Sequence, residues 1–123
     1  MKLGLSTWSF LDQDVYSAVE TIGNAGIEYV ELWGEFPHAY PGWANKKRLL
    51  DTLSVYDMTL SVHAPFTDLN PAAPDDQVRK VVGKVLAQFV EFSADLGASM
   101  VTVHAGSVHN QLLVGKSEAS SAS

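Results

Sequence analysis

Apolar and polar positions alternate in four short stretches of this chain and recur at helical spacing in the three stretches between them. Residues 2–8, 28–33, 59–63 and 100–104 carry the two-residue period of strands. After the first, Val15, Ala18, Val19, Ile22 and Ala25 share one side of a predicted helix. Asp12 or Asp14 is placed to cap it, because a short carboxylate accepts bonds from the unpaired N–H groups of a first turn. Gly26 follows where a left-handed C-terminal residue is wanted. Residues 44–57 predict a second helix with Leu49, Leu50, Leu53 and Tyr56 on its apolar side. A third runs from Asp75 or Asp76 to about Leu96, with Val78, Val82, Val85, Phe89, Phe92 and Leu96 inward and Gly97 as its stop. The loop over 34–42 is rich in Gly and Pro, and Pro65, Pro71 and Pro74 punctuate the next one.

The order βαβαβαβ predicts four parallel strands joined by right-handed helical crossovers. The two sides of those strands differ. One side reads Leu3, Leu5, Val30, Leu32, Leu60, Val62, Val101 and Val103 and should meet the helices. The other reads Gly4, Ser6, Trp8, Tyr29, Glu31, Trp33, Thr59, Ser61, His63, Met100, Thr102 and His104. An open doubly wound sheet needs apolar residues on both sides. A barrel needs them toward its outer helices, and a polar interior is expensive unless it is hydrogen-bonded or binds something. The pattern favours a barrel with a polar site, with the open sheet as the alternative.

That polar side carries the candidate chemistry. His63 and His104 end neighbouring strands, where barrel enzymes place their reacting groups. Strands about 4.8 Å apart allow two imidazoles to converge on one metal. A hydrogen-bonded pair without metal is the competing reading, and two ligands are fewer than the three a catalytic zinc takes from protein. Glu31, one strand over and deeper, is a third ligand, an acid/base group or a buried charge partner. His109 follows the fourth strand and is within reach of the site by sequence. His38 reads as a surface residue. Trp8, Trp33 and Phe66 near the strand ends suit the apolar faces of a sugar, or simply plug the core. Lys46, Lys47 and Arg48 read as a solvated helix face. Asp57 and Asp68 show no partner, and there is no Gly-rich phosphate loop.

Composition adds limits. The chain has 123 residues, 46% hydrophobic and 18% charged, a globular profile. A net charge of -6 offers no basic footprint for nucleic acid. The sequence has no cysteine, no secretory leader pattern and no run of about 20 apolar residues for a membrane span, so a cytoplasmic location is expected. Residues 1–114 are expected to form the domain. Residues 115–123, small and polar, are expected to be a disordered tail, a linker or an expression remnant.

Four motifs in order carry a resemblance: Leu-Gly-Leu-Ser-Thr-Trp-Ser, Gly-Ile-Glu-Tyr-Val-Glu-Leu, Ser-Val-His-Ala-Pro and Val-Thr-Val-His-Ala-Gly-Ser. Over roughly 1–109 the chain resembles the N-terminal half of the xylose-isomerase-like, AP-endonuclease-type TIM barrel superfamily. Its members include sugar-phosphate isomerases and epimerases, hydroxypyruvate isomerases, inosose dehydratases and apurinic DNA endonucleases. The resemblance implies a (β/α)8 fold, a divalent metal (Zn, Mn or Mg), and a sugar or sugar phosphate as substrate. In endonuclease-type members the histidines after strands three and four are metal ligands, and those positions match His63 and His104. In the sugar epimerases the metal is held mainly by Glu, Asp, His and Glu of later strands, and two glutamates move the proton.

A full barrel runs to about twice this length, so the later-strand ligands and carboxylates fall outside the chain. Four strands leave open edges, which invite association. The expectation is therefore a fragment, one partner of a split barrel, or a homodimer that closes eight strands. Three functions follow: proton transfer beside a sugar carbonyl with Glu31 as the catalytic carboxylate, phosphodiester cleavage at DNA lesions, or a non-catalytic half-barrel.

Overall fold

The computed structural model describes residues 1–108. The expected tail at 115–123 and His109 lie outside the described residues. Strand β1 covers Gly4–Ser6, and a 3-10 turn follows at Thr7–Phe10. Helix α1 covers Val15–Asn24, β2 Tyr29–Trp33, α2 Lys46–Ser54, β3 Thr59–His63, α3 Asp76–Asp95 and β4 Met100–Thr102. The strands are parallel in the order β1-β2-β3-β4.

Each helix starts on a side-chain cap. Asp14 accepts from Ser17 N at 2.8 Å, Asn45 from Arg48 N at 2.9 Å, and Asp75 from Gln77 N at 2.7 Å. Asp14, not Asp12, is thus the first cap. Gly26 and Gly97 follow α1 and α3 with φ of 76° and 80°, the left-handed stop their positions predicted.

The register puts Tyr29, Glu31 and Trp33 beside Thr59, Ser61 and His63, and Val30 and Leu32 beside Leu60 and Val62. Val30, Leu32, Leu60 and Val62 are buried in one cluster with Val15, Val19 and Ile22 of α1, Leu49 of α2 and Phe89 and Phe92 of α3. All three helices therefore cover the same side of the sheet. Tyr29, Glu31, Trp33, Ser61 and His63 remain partly accessible on the other. This is the arrangement of a barrel wall and not of a doubly wound sheet.

Several boundaries differ from the sequence reading. The first strand ends at Ser6, because the Ser6 side chain accepts from Trp8 N at 3.2 Å and turns the backbone. Trp8 therefore sits in the 3-10 turn and not on the strand. The fourth strand ends at Thr102, whose carbonyl accepts the last pairing bond from Ala64 N at 2.8 Å, so His104 lies in the loop beyond it. Helix α2 is shorter than 44–57, and Tyr56 lies past its end, donating to Asn24 Oδ1 at 2.9 Å.

The apolar side is also less uniformly covered than expected. Leu3 (61% exposed), Leu5 and Val103 are exposed, and among the described residues β1 and β4 are the edge strands of the sheet. Val78, expected on the inward face of α3, is exposed near the start of that helix. The basic run keeps to the surface but is partnered: Lys46 pairs with Asp95 and Lys47 with Asp51, each at 2.8 Å, and Arg48 lies over the Tyr16 ring. No described helix is long and apolar enough to cross a membrane.

Candidate functional site

The loops at the C-terminal ends of the strands are stitched together in chain order. His38, in the loop after β2, places Nε2 3.0 Å from the Gln13 carbonyl in the loop after β1. Glu35 joins the same loop to the one after β3: its Oε1 accepts from Phe66 N at 2.6 Å and Thr67 N at 2.7 Å. Asn70 joins that loop to the segment after β4, donating to Ser107 O at 2.8 Å and accepting from Ser107 N at 3.0 Å. Gly106 has φ of 84° there, and a Cβ would overlap Asn70 Oδ1, so glycine lets the two segments meet. The stitches give the rim a fixed floor.

His38 corrects the expectation of a surface residue, because it is fully buried. Its Nδ1 and the Trp33 Nε1 are buried without a protein partner among the described residues, in rings 6.2 Å apart. Glu35, His38 and the buried Thr7, which accepts from Trp33 N at 2.9 Å, are the organising residues that the sequence reading missed. A polar residue two places past a strand, inside a Gly/Pro loop, was the one signal available.

The histidines meet on this floor. The Nε2 atoms of His63 and His104 are 3.0 Å apart and the ring centroids 4.8 Å apart. His63 Nδ1 lies 2.8 Å from the Ala64 carbonyl, which assigns its proton to Nδ1 and leaves the Nε2 lone pair free. Metal-bound histidines are oriented by this kind of outer bond. With its proton on Nε2, His104 donates to that lone pair; with its proton on Nδ1, both lone pairs face one point. Two nitrogens on one tetrahedral ion stand about 3.3 Å apart, close to the spacing seen. The pair fits two corners of a cation site. No cluster of three or more His, Cys, Asp or Glu side chains suited to a metal occurs among the described residues.

Phe66 walls the pair. Its ring stacks on His104 at 4.4 Å and 15°, and meets His63 edge-on at 5.5 Å. A cleft of about 520 Å³ opens alongside, between Phe66, Asp68, Asn70, His104 and Gly106. Asp68 lines it from a left-handed backbone with φ of 58°, a conformation that aspartate and asparagine adopt more readily than most side chains. Trp8 and Trp33 form a second aromatic unit, stacked at 5.5 Å and 12°.

Glu31 is not drawn into the histidine pair. Its register partner is Ser61, two residues before His63, roughly 6.6 Å down the strand at the usual rise. It lines a separate depression of about 260 Å³ with Gly4, Ser6, Tyr29 and Ser61. It makes no side-chain hydrogen bond among the described residues. A third-ligand role alongside His63 and His104 does not fit this placement.

A one-sided parallel α/β wall with paired imidazoles at its C-terminal rim defines the class: part of a (β/α)8 barrel. The chain belongs to the xylose isomerase-like TIM barrel family, whose model matches residues 19–120. An uncharacterised protein of Methanocaldococcus jannaschii, MJ1311, is 34% identical over 106 residues, 86% of this chain and 36% of that protein. A D-tagatose 3-epimerase-like protein of known structure is 31% identical with a TM-score of 0.75, over 89% of this chain and 39% of that one. The TTHB071 protein from Thermus thermophilus, in a crystal soaked with zinc chloride, is 25% identical with a TM-score of 0.63, over 88% of this chain and 40% of that one. The chain thus spans less than half the length of these relatives, and the four strands correspond to half of an eight-stranded barrel.

Proposed function

We propose that this chain forms the first half of the active-site rim of a metal-dependent sugar isomerase/epimerase, acting on a sugar or sugar phosphate. The observation that carries the reading is the approach of His63 and His104 Nε2 to 3.0 Å at the strand ends of a xylose isomerase-like barrel. The likeness to a D-tagatose 3-epimerase-like protein supports the substrate class, and that to a protein soaked with zinc chloride supports the cation. The net charge of -6 favours a small polar substrate over DNA.

In this reading His63 and His104 hold a Zn, Mn or Mg ion through Nε2. A divalent ion held by these two imidazoles would supply Lewis-acid polarisation of a carbonyl oxygen. Trp8, Trp33 and Phe66 offer apolar faces to the sugar ring. Glu31 is the one acidic side chain on the inner side of the described strands, so the proton-handling role of this half falls to it.

The remaining ligands come from the other half of the ring, supplied by a longer polypeptide, a split partner or a second copy. Among the described residues β1 and β4 are the edges of the sheet, and open edges favour such association. Light scattering after size exclusion is expected to show species above the 13.3 kDa monomer; a stable, folded monomer alone contradicts association of this chain. The functional test is solvent-deuterium incorporation beside the carbonyl of ketoses and ketose phosphates, using the assembled barrel with a divalent ion. Incorporation that disappears in the H63A/H104A pair supports the reading. Undiminished incorporation in that pair overturns their role.

A further inference from the structure

Glu35 takes no part in the chemistry above, yet its carboxylate is built into the backbone under the histidine pair. It is 8% exposed, and a single oxygen accepts both the Phe66 and the Thr67 N–H. Hydrogen bonds to a carboxylate are roughly twice as strong as neutral ones, and these two link separate loops. The same stretch is tied to β3 a second time, where Gly34 N donates to the His63 carbonyl at 2.8 Å.

The consequence runs through Phe66. Its backbone is fixed by Glu35, and both imidazoles pack against its ring. His104 depends on that ring most. It is exposed, lies beyond the end of β4, and its side chain touches His63 Nε2 and the Phe66 face. An exposed side chain on an edge loop gains rotamer freedom unless a neighbour restricts it.

We propose that Glu35 is a positioning residue for the histidine pair: by pinning the Phe66 backbone it sets the ring on which His104 stacks, and so holds the two Nε2 atoms on a common point. The effect on cation affinity rests on the reading of the pair as a metal site. The effect on ring geometry does not.

The experiment compares the whole chain with E35Q, F66L and the double variant, after circular dichroism establishes folding. Two readouts are taken: the ring-current shift of the His104 imidazole protons by NMR, and Zn²⁺ affinity by competition with a chromophoric chelator. E35Q is expected to move the His104 protons toward their F66L position and to weaken Zn²⁺ binding about tenfold, the usual scale for an outer-shell partner. Residues acting in series are not additive, so E35Q/F66L is expected to bind no more weakly than F66L. Unmoved His104 protons in E35Q, or fully additive losses in the double variant, overturn the proposal. If E35Q does not fold, F66L decides alone, because Zn²⁺ binding at the wild-type level in F66L overturns it too. If no chain binds Zn²⁺ while E35Q still moves the His104 protons, the positioning role stands and the metal reading fails.

Discussion

The two sides of this sheet are built from alternate residues of the same strands, yet they are held in different ways. On the helix side, Val30, Leu32 and Val62 interlock with Ile22, Leu49 and Phe89, all fully or almost fully buried. Order there comes from removing apolar area from water and from close packing. On the inner side, Glu31, Ser61 and His63 remain partly accessible, and order is concentrated at the rim, in hydrogen bonds made by Glu35, His38 and Asn70. The helix side is stabilised by area and the inner side by specific polar anchors. Stability and site geometry should therefore respond to different substitutions.

The largest separation is expected from Phe89→Ala, which empties the centre of the helix-side cluster. Denaturant unfolding should show a loss of about 3–5 kcal/mol. A loss under about 1 kcal/mol would mean that this side is not the main source of stability. Next comes Gly34→Ala, where the two sides touch: a Cβ would overlap the His63 carbonyl and the Phe89 ring. Overpacking of this kind costs about 1–3 kcal/mol, and the histidine resonances should shift together with the stability, a coupling not expected for Phe89→Ala.

A smaller effect is expected at a helix end. Asp14→Ala removes the α1 cap and should cost about 1 kcal/mol at neutral pH. The backbone N–H of Ser17 holds the Asp14 carboxyl below its ordinary value. Its stabilisation is then fully present above the unfolded value of about 3.9 and is lost as pH falls through the lower folded value. The difference between wild type and Asp14→Ala should shrink over that acidic window; a constant difference would contradict the capping role. The smallest effect is expected on the inner side, where Ser61→Ala should change stability by no more than about 0.5 kcal/mol.

How much the sequence revealed follows the same division. The helix-side elements were legible because burial imposes a period: Val15, Val19 and Ile22, or Val82, Phe89 and Phe92, can face inward together only on a helix. The convergence of His63 and His104 was legible only in part: both keep the inner-side parity, but the register pairs His63 with Thr102 and leaves His104 two residues further on, past the end of β4. The ends of β1 and β4 were not legible: a local turn bond at Ser6 ends the first, and the fourth, an edge strand among the described residues, stops at Thr102 short of its alternating pattern. The rim anchors were also hidden. Glu35 and His38 lie in a Gly/Pro loop with no period, and their partners Phe66 and Gln13 are distant in sequence.

The rim pair is tested most directly by long-range proton–nitrogen correlation spectra of the imidazoles during a Zn²⁺ titration. The Nε2 resonances of both His63 and His104 are expected to move to metal-bound positions at one ion per site, while His63 Nδ1 keeps its proton and goes on donating it to the Ala64 carbonyl. Nε2 resonances that ignore the ion, or a response from only one of the two rings, would contradict a shared cation site.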